Sequence, residues 1–441
     1  MLKLTRKLKH IWSSFWFVPV FCVLSAIGAA ETLVLLDRQL QASGAQWWQS
    51  TALSFGIDGS RGLLSAIGGG TFGAAATAFS ITVSVIVTAS TSYGPRLVGN
   101  FMSDRRNQWT LGLLVSTFVY TILVSRWLRS NLEDGTSFVP RVAVLVALIL
   151  AIVNVFLLIS FIHHMASSTR VSAITVTVSD QLRRVVENVY RFAPARTAQL
   201  AAPVGGRIVV AKSSGYVARI DLLGIVRNAN AADGWVALEA AVGDHVLAGM
   251  PVARVGAADA ERLAATLPAD IDIARDRETA HDVRFAQQQL AEVAVRALSP
   301  GTNDPYTAVA AIHELAAGHA ELVTRPALDS AVLDDDGTPR VYWRPPRQRE
   351  LLDDLFNQLM PYIGEDHNVY CALAQLALGV ESANYHAHLV GHADEYVAEL
   401  RTRAERNSMH RTVAALDELT RRAEHHRRLA VAAAEQEEAH G

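Results

Sequence analysis

Cysteine is nearly absent: 441 residues contain two, Cys22 and Cys371. Two thiols so far apart in the chain support neither a disulfide framework nor a Cys-based zinc site. A surplus of one charge is missing as well. Forty Lys and Arg against 43 Asp and Glu leave a formal charge of −3, and nucleic acid is not expected as a partner. No HExxH pattern occurs, and no nucleophile–base–oxyanion arrangement is legible, so neither a metal nor catalysis is assigned. Hydrophobic residues are plentiful, at half of the chain. They are unevenly spread. Long uncharged runs dominate up to about residue 165, after which Arg, Asp, Glu and His become frequent. This order predicts a membrane portion followed by a soluble one.

About 20 apolar residues of helix cross a bilayer core. Four segments meet that length: Ile11 to Ala30, part of the uncharged run Gly62–Pro95, Trp109 to Ser125, and Val142 to Ile162. The first has a basic flank (Lys3, Arg6, Lys7, Lys9), but it is too long for a signal peptide and has a poor site after it. It is read as a retained anchor, with Glu31 near its end and interfacial. His163 and His164 are read in the same way at the end of the fourth span. Lys and Arg near the helix ends fit best with both termini in the cytoplasm of an inner-membrane protein, although the third loop carries Arg126, Arg129 and Arg141. A membrane enzyme has little support, because the four spans contain almost no buried ionisable residue.

The second span carries Gly70, Gly73, Thr77, Ser80, Ser84, Thr88 and Thr91 at spacings of three and four. Those residues share one helix face, while Phe72, Phe79, Val83 and Ile86 lie on the opposite side. Such a stripe has two physical uses. It lets helices approach closely and hydrogen-bond across the contact, or it lines a water-filled path where hydroxyls replace part of an ion's hydration shell. Thr77, Ser80, Ser84, Thr88 and Thr91 are the pore-lining candidates, and one such helix per subunit requires a symmetric homo-oligomer.

The soluble part is expected to be α+β. Residues 1–166 form the four-helix membrane region and 167–202 a helical extension and linker. A small β module occupies 203–257, and a mainly helical domain with helical hairpins covers 258–441. Within the β module, SGYVARID and VGDHVLAGMPVARV resemble the barrel-sandwich fold of biotinyl and lipoyl carriers and of membrane-fusion adaptors. That likeness implies a Gly-Asp turn and a second bend at a later glycine. No lysine stands in a suitable turn, since Lys212 reads as a strand position, so the module is structural and no cofactor is expected.

In SPGTNDPYTA, Pro300 and Gly301 stop one helix, and Asp304 followed by Pro305 starts the next as N-cap and first helical residue. Neither Asn303 nor the charged stretch upstream is explained in this way. Asp276, Arg277, Asp282, Arg284, Arg296, Asn303 and Asp304 form the candidate ligand-binding set. Its oxygens suit a hard cation and its arginines an anion; the alternative is an Arg–carboxylate network that fixes the hairpin. His386, His388 and His392 are read as solvated. DDDGTPRVYWRPPRQ is a hairpin-like excursion with an Asp-Gly turn.

ALSPGTNDPYTA and YGPRLVGNFMSDRRNQWTLG together resemble a bacterial family of predicted integral membrane proteins of unknown function. The matching positions are Ser299, Pro300, Gly301, Asn303, Asp304, Pro305, Thr307 and Ala308, with Pro95, Arg96, Asn100, Phe101, Asp104 and Arg105. Membership implies several spans followed by a cytoplasmic domain, and it does not supply an activity. The leading expectation is an oligomeric channel or channel-like transporter controlled by its cytoplasmic domain. The other is a non-conducting scaffold or signalling protein whose cytoplasmic domain binds a protein or small ligand.

Overall fold

A computed structural model describes residues 16–43, 56–93, 104–130, 137–168, 171–191, 194, 196–277, 280–383 and 392–440. Side chains at 89–93, 129, 130, 137, 168, 171–174, 177, 191, 392 and 429–440 are also outside the description. The chain divides into two compact units, Met1–Arg170 and Val171–Gly441.

The first unit contains four helices long and apolar enough to cross a membrane: α1 (Phe17–Ala42), α2 (Ile57–Tyr93), α3 (Arg105–Arg126) and α4 (Arg141–Ser168). Two short strands, β1 (Arg129–Ser130) and β2 (Ser137–Phe138), pair between α3 and α4. Helix α3 is the central one, packed against the other three. Its buried face is largely polar, with Thr110, Ser116, Thr117 and Thr121. These hydroxyls donate to carbonyls one turn earlier, which satisfies them inside an apolar bundle. Asn154 of α4 donates to the Thr117 hydroxyl at 2.8 Å. Gly68 lets α2 approach α3 closely, since a Cβ there would lie 2.6 Å from Thr121 Oγ1.

The ends of α1 correct two expectations. The helix does not stop near Glu31 but continues to Ala42, so Glu31 lies well inside it and half-buried. Beyond it, Asp37 is fully buried and accepts the backbone N–H groups of Val142 and Ala143 at 3.0 Å each. An acidic side chain of α1 thus caps the positive end of α4. Close by, Tyr120 donates to the Ala143 carbonyl at 2.9 Å. Asp37 is the one buried carboxylate among the described residues of the membrane unit, in keeping with spans that hold almost no buried ionisable residue. At the far ends of these helices, Asp104 caps α3 through the Arg106 amide and pairs with His164 of α4.

The second unit opens with α5 (Val171–Arg191). Its strands are β3 (Thr197–Ala198), β4 (Arg207–Val210), β5 (Gly215–Ile220), β6 (Trp235–Leu238), β7 (His245–Val246), β8 (Pro251–Gly256), β9 (Ile271–Ala274), β10 (Ala331–Leu333) and β11 (Pro339–Tyr342). Two helices, α6 (Leu222–Ala231) and α7 (Ala260–Asp270), pack on them. The remainder is helical: α8 (Val283–Ala297), α9 (Pro305–Val323), α10 (Gln348–Leu359), α11 (His367–Ala383), α12 (His392–Arg406) and α13 (His410–His440).

The expected barrel-sandwich module is not a closed unit. The strands form one six-stranded sheet, β3-β10-β11-β6-β8-β4, and one three-stranded sheet, β7-β5-β9. The predicted hairpin of β10 and β11 is present, but it joins the larger sheet, with β11 running parallel to β6. Edge strand β3 comes from the stretch read as linker. The turn chemistry was legible locally: Gly243 and Gly249 have φ of 93° and 90°, values that glycine adopts without steric cost. Lys212, read as a strand position, instead sits exposed in the bend between β4 and β5.

His319 of α9 is buried in the helical core, and neither ring nitrogen has a hydrogen-bond partner. Burial pushes its pKa down from 6.5 to about 4. The folded ring thus stays neutral where the unfolded one takes up a proton, and unfolding binds protons between these values. Its contribution is complete above pH 6.5 and lost as pH falls to 4, about 3 kcal/mol over the whole window. In denaturant titrations, the wild type is expected to lose about 2 kcal/mol from this source between pH 6.5 and 5. His319→Leu should lack that component, so its stability should fall less over the same interval.

Candidate functional site

The N-terminus of α8 organises the charged stretch singled out in the sequence. Asp282 is its N-cap, accepting the Phe285 amide at 2.9 Å. The same carboxylate is gripped by Arg277, with Nε at 2.7 Å from Oδ2 and Nη2 at 3.2 Å from Oδ1. Arg277 also donates to Gln288 at 3.2 Å and lies over the Phe285 ring. Asp282 is buried, and the Gly-Asp turn before β7 rests on the pair. A Cβ at Gly243 would come 2.3 Å from Asp282 Oδ2. A side chain at 243 would therefore separate the β turn from the helix terminus.

Between this terminus and the sheets lies a cavity of about 140 Å³. Its apolar wall includes Ile220, Leu238, Val283 and Pro345, and its polar lining includes Arg219, Asp244, Asp282, Arg284, Arg344 and Glu350. Arg284 donates to Glu350 at 2.8 Å and pairs with Asp354 at 2.9 Å. Arg344 approaches the same Glu350 at 3.3 Å.

The structure does not gather the seven candidate ligand residues into one site. Asp282 and Arg284 line the cavity, and Arg277 holds Asp282 from behind. Asp276 is exposed. Arg296 pairs with Glu292 on its own helix at 3.3 Å, and Asn303 and Asp304 lie beyond the other end of α8. Fifteen residues of helix at 1.5 Å each put about 20 Å between the two ends. The cation site that would have combined Asp282 with Asn303 and Asp304 is ruled out by that length. Among the described residues, no three His, Cys, Asp or Glu side chains are grouped as a metal site.

Asn303 has a conformational explanation instead. It adopts φ of 45°, in the left-handed region that Asn tolerates better than most residues, and its side chain is exposed. Gly301, expected to help stop α8, is not among the positive-φ residues. The amides of Thr302 and Asn303 both return to the Ser299 carbonyl, and that of Asp304 to Ala297. Asp304 then caps α9 through the Thr307 amide at 3.1 Å, with Pro305 as first helical residue. The Thr307 hydroxyl and amide hold its carboxyl below the usual range. His386 and His388 lie outside the described residues, and His392 starts α12.

In the membrane unit, α2 presents three faces at 100° per residue. Leu64, Ile67, Thr71, Ala75, Ala78 and Thr82 are buried against the other helices. Phe72, Phe79, Val83 and Val87 form an exposed apolar face. Gly70, Gly73, Thr77, Ser80, Ser84 and Thr88 lie on the remaining one, also exposed. Among the described residues, the stripe is therefore not used for packing. Thr91 belongs to the same register, but its side chain is outside the description. Thr77 and Thr88 donate their protons to the carbonyls of Gly73 and Ser84 at 3.0 Å.

The sequence reading overlooked Arg219, Asp244 and Asp37. An arginine in a β run and an aspartate in a Gly-Asp turn have ordinary local explanations, and only the tertiary fold brings them to a common cavity. Comparison with known proteins places the chain. The profile of predicted membrane proteins termed DUF2254 matches residues 12–378. The chain belongs to this family. Relatives include the uncharacterised proteins Mb1321c of Mycobacterium bovis and Rv1290c of Mycobacterium tuberculosis. Each is 29% identical over 389 residues, covering 85% of this chain and 73% of the relative. No solved structure matches. As a DUF2254 member with four apolar helices, the chain is a predicted membrane protein followed by a mixed helical and sheet unit.

Proposed function

We propose that this DUF2254 protein is a homo-oligomeric inner-membrane channel or channel-like transporter, with both termini and the second unit in the cytoplasm, where that unit controls conduction. The outward-facing hydroxyl stripe of α2 carries this reading. A polar face exposed to lipid is unfavourable, and covering it requires either other copies of the chain or a water-filled path that those copies enclose. Because Thr77 donates its proton to the Gly73 carbonyl of its own helix, its exposed oxygen keeps lone pairs that can accept. Oxygen acceptors of that kind favour cations over anions.

The test is ion flux into liposomes that contain the purified protein. Thr77→Val and Thr88→Val nearly preserve shape and remove the hydroxyl. Cation flux in the wild type, altered in variants that stay folded and oligomeric, is the expected result. Absence of flux for monovalent and divalent ions in the wild type would refute conduction and favour the non-conducting scaffold.

A further inference from the structure

The cavity beside α8 has a charge pattern that its own ion pairs leave unfinished. Asp282 is neutralised by Arg277. Glu350 is shared by Arg284 and Arg344, and Arg284 is further balanced by Asp354. His281 also lines the cavity and has an interaction of its own, and two lining charges remain. Arg219, half-buried at the end of β5, makes no hydrogen bond or ion pair among the described residues. Its field reaches Asp270, but that carboxylate also feels Arg227 and accepts the Asn228 amide at 2.7 Å. Among the described residues, Asp244 accepts only the Ala241 amide, at 2.8 Å through Oδ2. Its charge meets no cation among the described residues, and Oδ1 is open at the exposed rim. The strands holding these residues are joined by the Val217 amide on the Asp244 carbonyl at 2.9 Å.

We propose that this cavity binds a small zwitterion with an apolar body, with the chemistry of a free apolar α-amino acid. Arg219 takes the carboxylate, Asp244 takes the ammonium group, and the side chain fills the space between Ile220, Leu238, Val283 and Pro345. A plain anion would meet Asp244 without compensation, and a plain cation would meet Arg219. Only a ligand that carries both charges completes both partners. The volume also fits, because a cavity of about 150 Å³ accommodates a benzene ring, the size of a phenylalanine or leucine side chain. This assignment rests on the second unit alone and is independent of whether the stripe conducts.

The experiment is calorimetric titration of the full-length protein in detergent with phenylalanine, leucine, 3-phenylpropionate and phenethylamine. The amino acids are expected to bind, and each singly charged analogue to bind roughly ten- to a hundredfold more weakly. Arg219→Gln and Asp244→Asn should each weaken phenylalanine binding by a similar factor, with an unchanged melting temperature in the absence of ligand. Because the analogue series uses the wild type, the test does not depend on how the variants fold. Two results overturn the proposal. One is 3-phenylpropionate binding as tightly as phenylalanine with no effect of Asp244→Asn. The other is no binding of either amino acid at millimolar concentration.

Discussion

Asp282→Ala is expected to destabilise the second unit by about 3–5 kcal/mol, the usual cost of removing one partner from a buried ion pair. Three losses coincide at this side chain. The Arg277 guanidinium loses both its bonds to the carboxylate and stays beside the Phe285 ring. The Phe285 amide at the start of α8 loses its cap, worth about 1 kcal/mol in itself. The turn at Gly243 loses the surface on which it rests. Thermal unfolding should show a midpoint lower by roughly 10 °C. Asp282→Asn keeps the cap acceptor but not the charge, so it should fall between the wild type and alanine. A shift of a degree or less for alanine would mean that the pair is not a structural element of the fold.

Asp37→Ala carries the second large effect, in the membrane unit. The substitution strips the Val142 and Ala143 amides of their acceptor at the N-terminus of α4. The site is fully buried, so water does not readily replace it, and each unsatisfied amide costs about 1–3 kcal/mol. A loss of about 3 kcal/mol or more is expected, read as a lower melting temperature in detergent. Asp37→Asn retains one acceptor oxygen and should recover roughly half of that loss. Equal stability of Asp37→Ala and wild type would show that α4 is held by apolar packing alone.

The parts of this architecture that were legible in the sequence are the local ones. Runs of some 20 apolar residues announce spans because hydrocarbon thickness sets their length. Asp304 and Pro305 announce a helix start because the first N–H groups of a helix need an outside acceptor. The end of α1 was not legible, since Glu31 looks like an exit from the membrane until Asp37 is seen to serve α4, more than 100 residues downstream. The pairing of β11 with β6 is equally remote, and it joins the hairpin of β10 and β11 to the strands of the expected barrel-sandwich. Periodicity carries no information about such pairings. For the candidate site, the Arg277–Asp282 pair was legible through proximity in the chain. Asn303 was assigned to the wrong neighbourhood because a helix of 15 residues intervenes. Arg219 and Asp244 come together only when β5, the Gly-Asp turn and α8 are assembled.

The central claim, that the exposed stripe of α2 faces water inside an assembly, is tested most directly by thiol labelling in intact membranes. Single cysteines at Ser80 and Ser84 are compared with single cysteines at Phe79 and Val83, in a chain with Cys22 and Cys371 replaced by alanine. A membrane-impermeant, water-soluble thiol reagent is then applied. The account predicts modification at Ser80→Cys and Ser84→Cys and protection at Phe79→Cys and Val83→Cys, where the apolar face meets lipid. Protection at all four positions, or equal reactivity on the two faces, would contradict it.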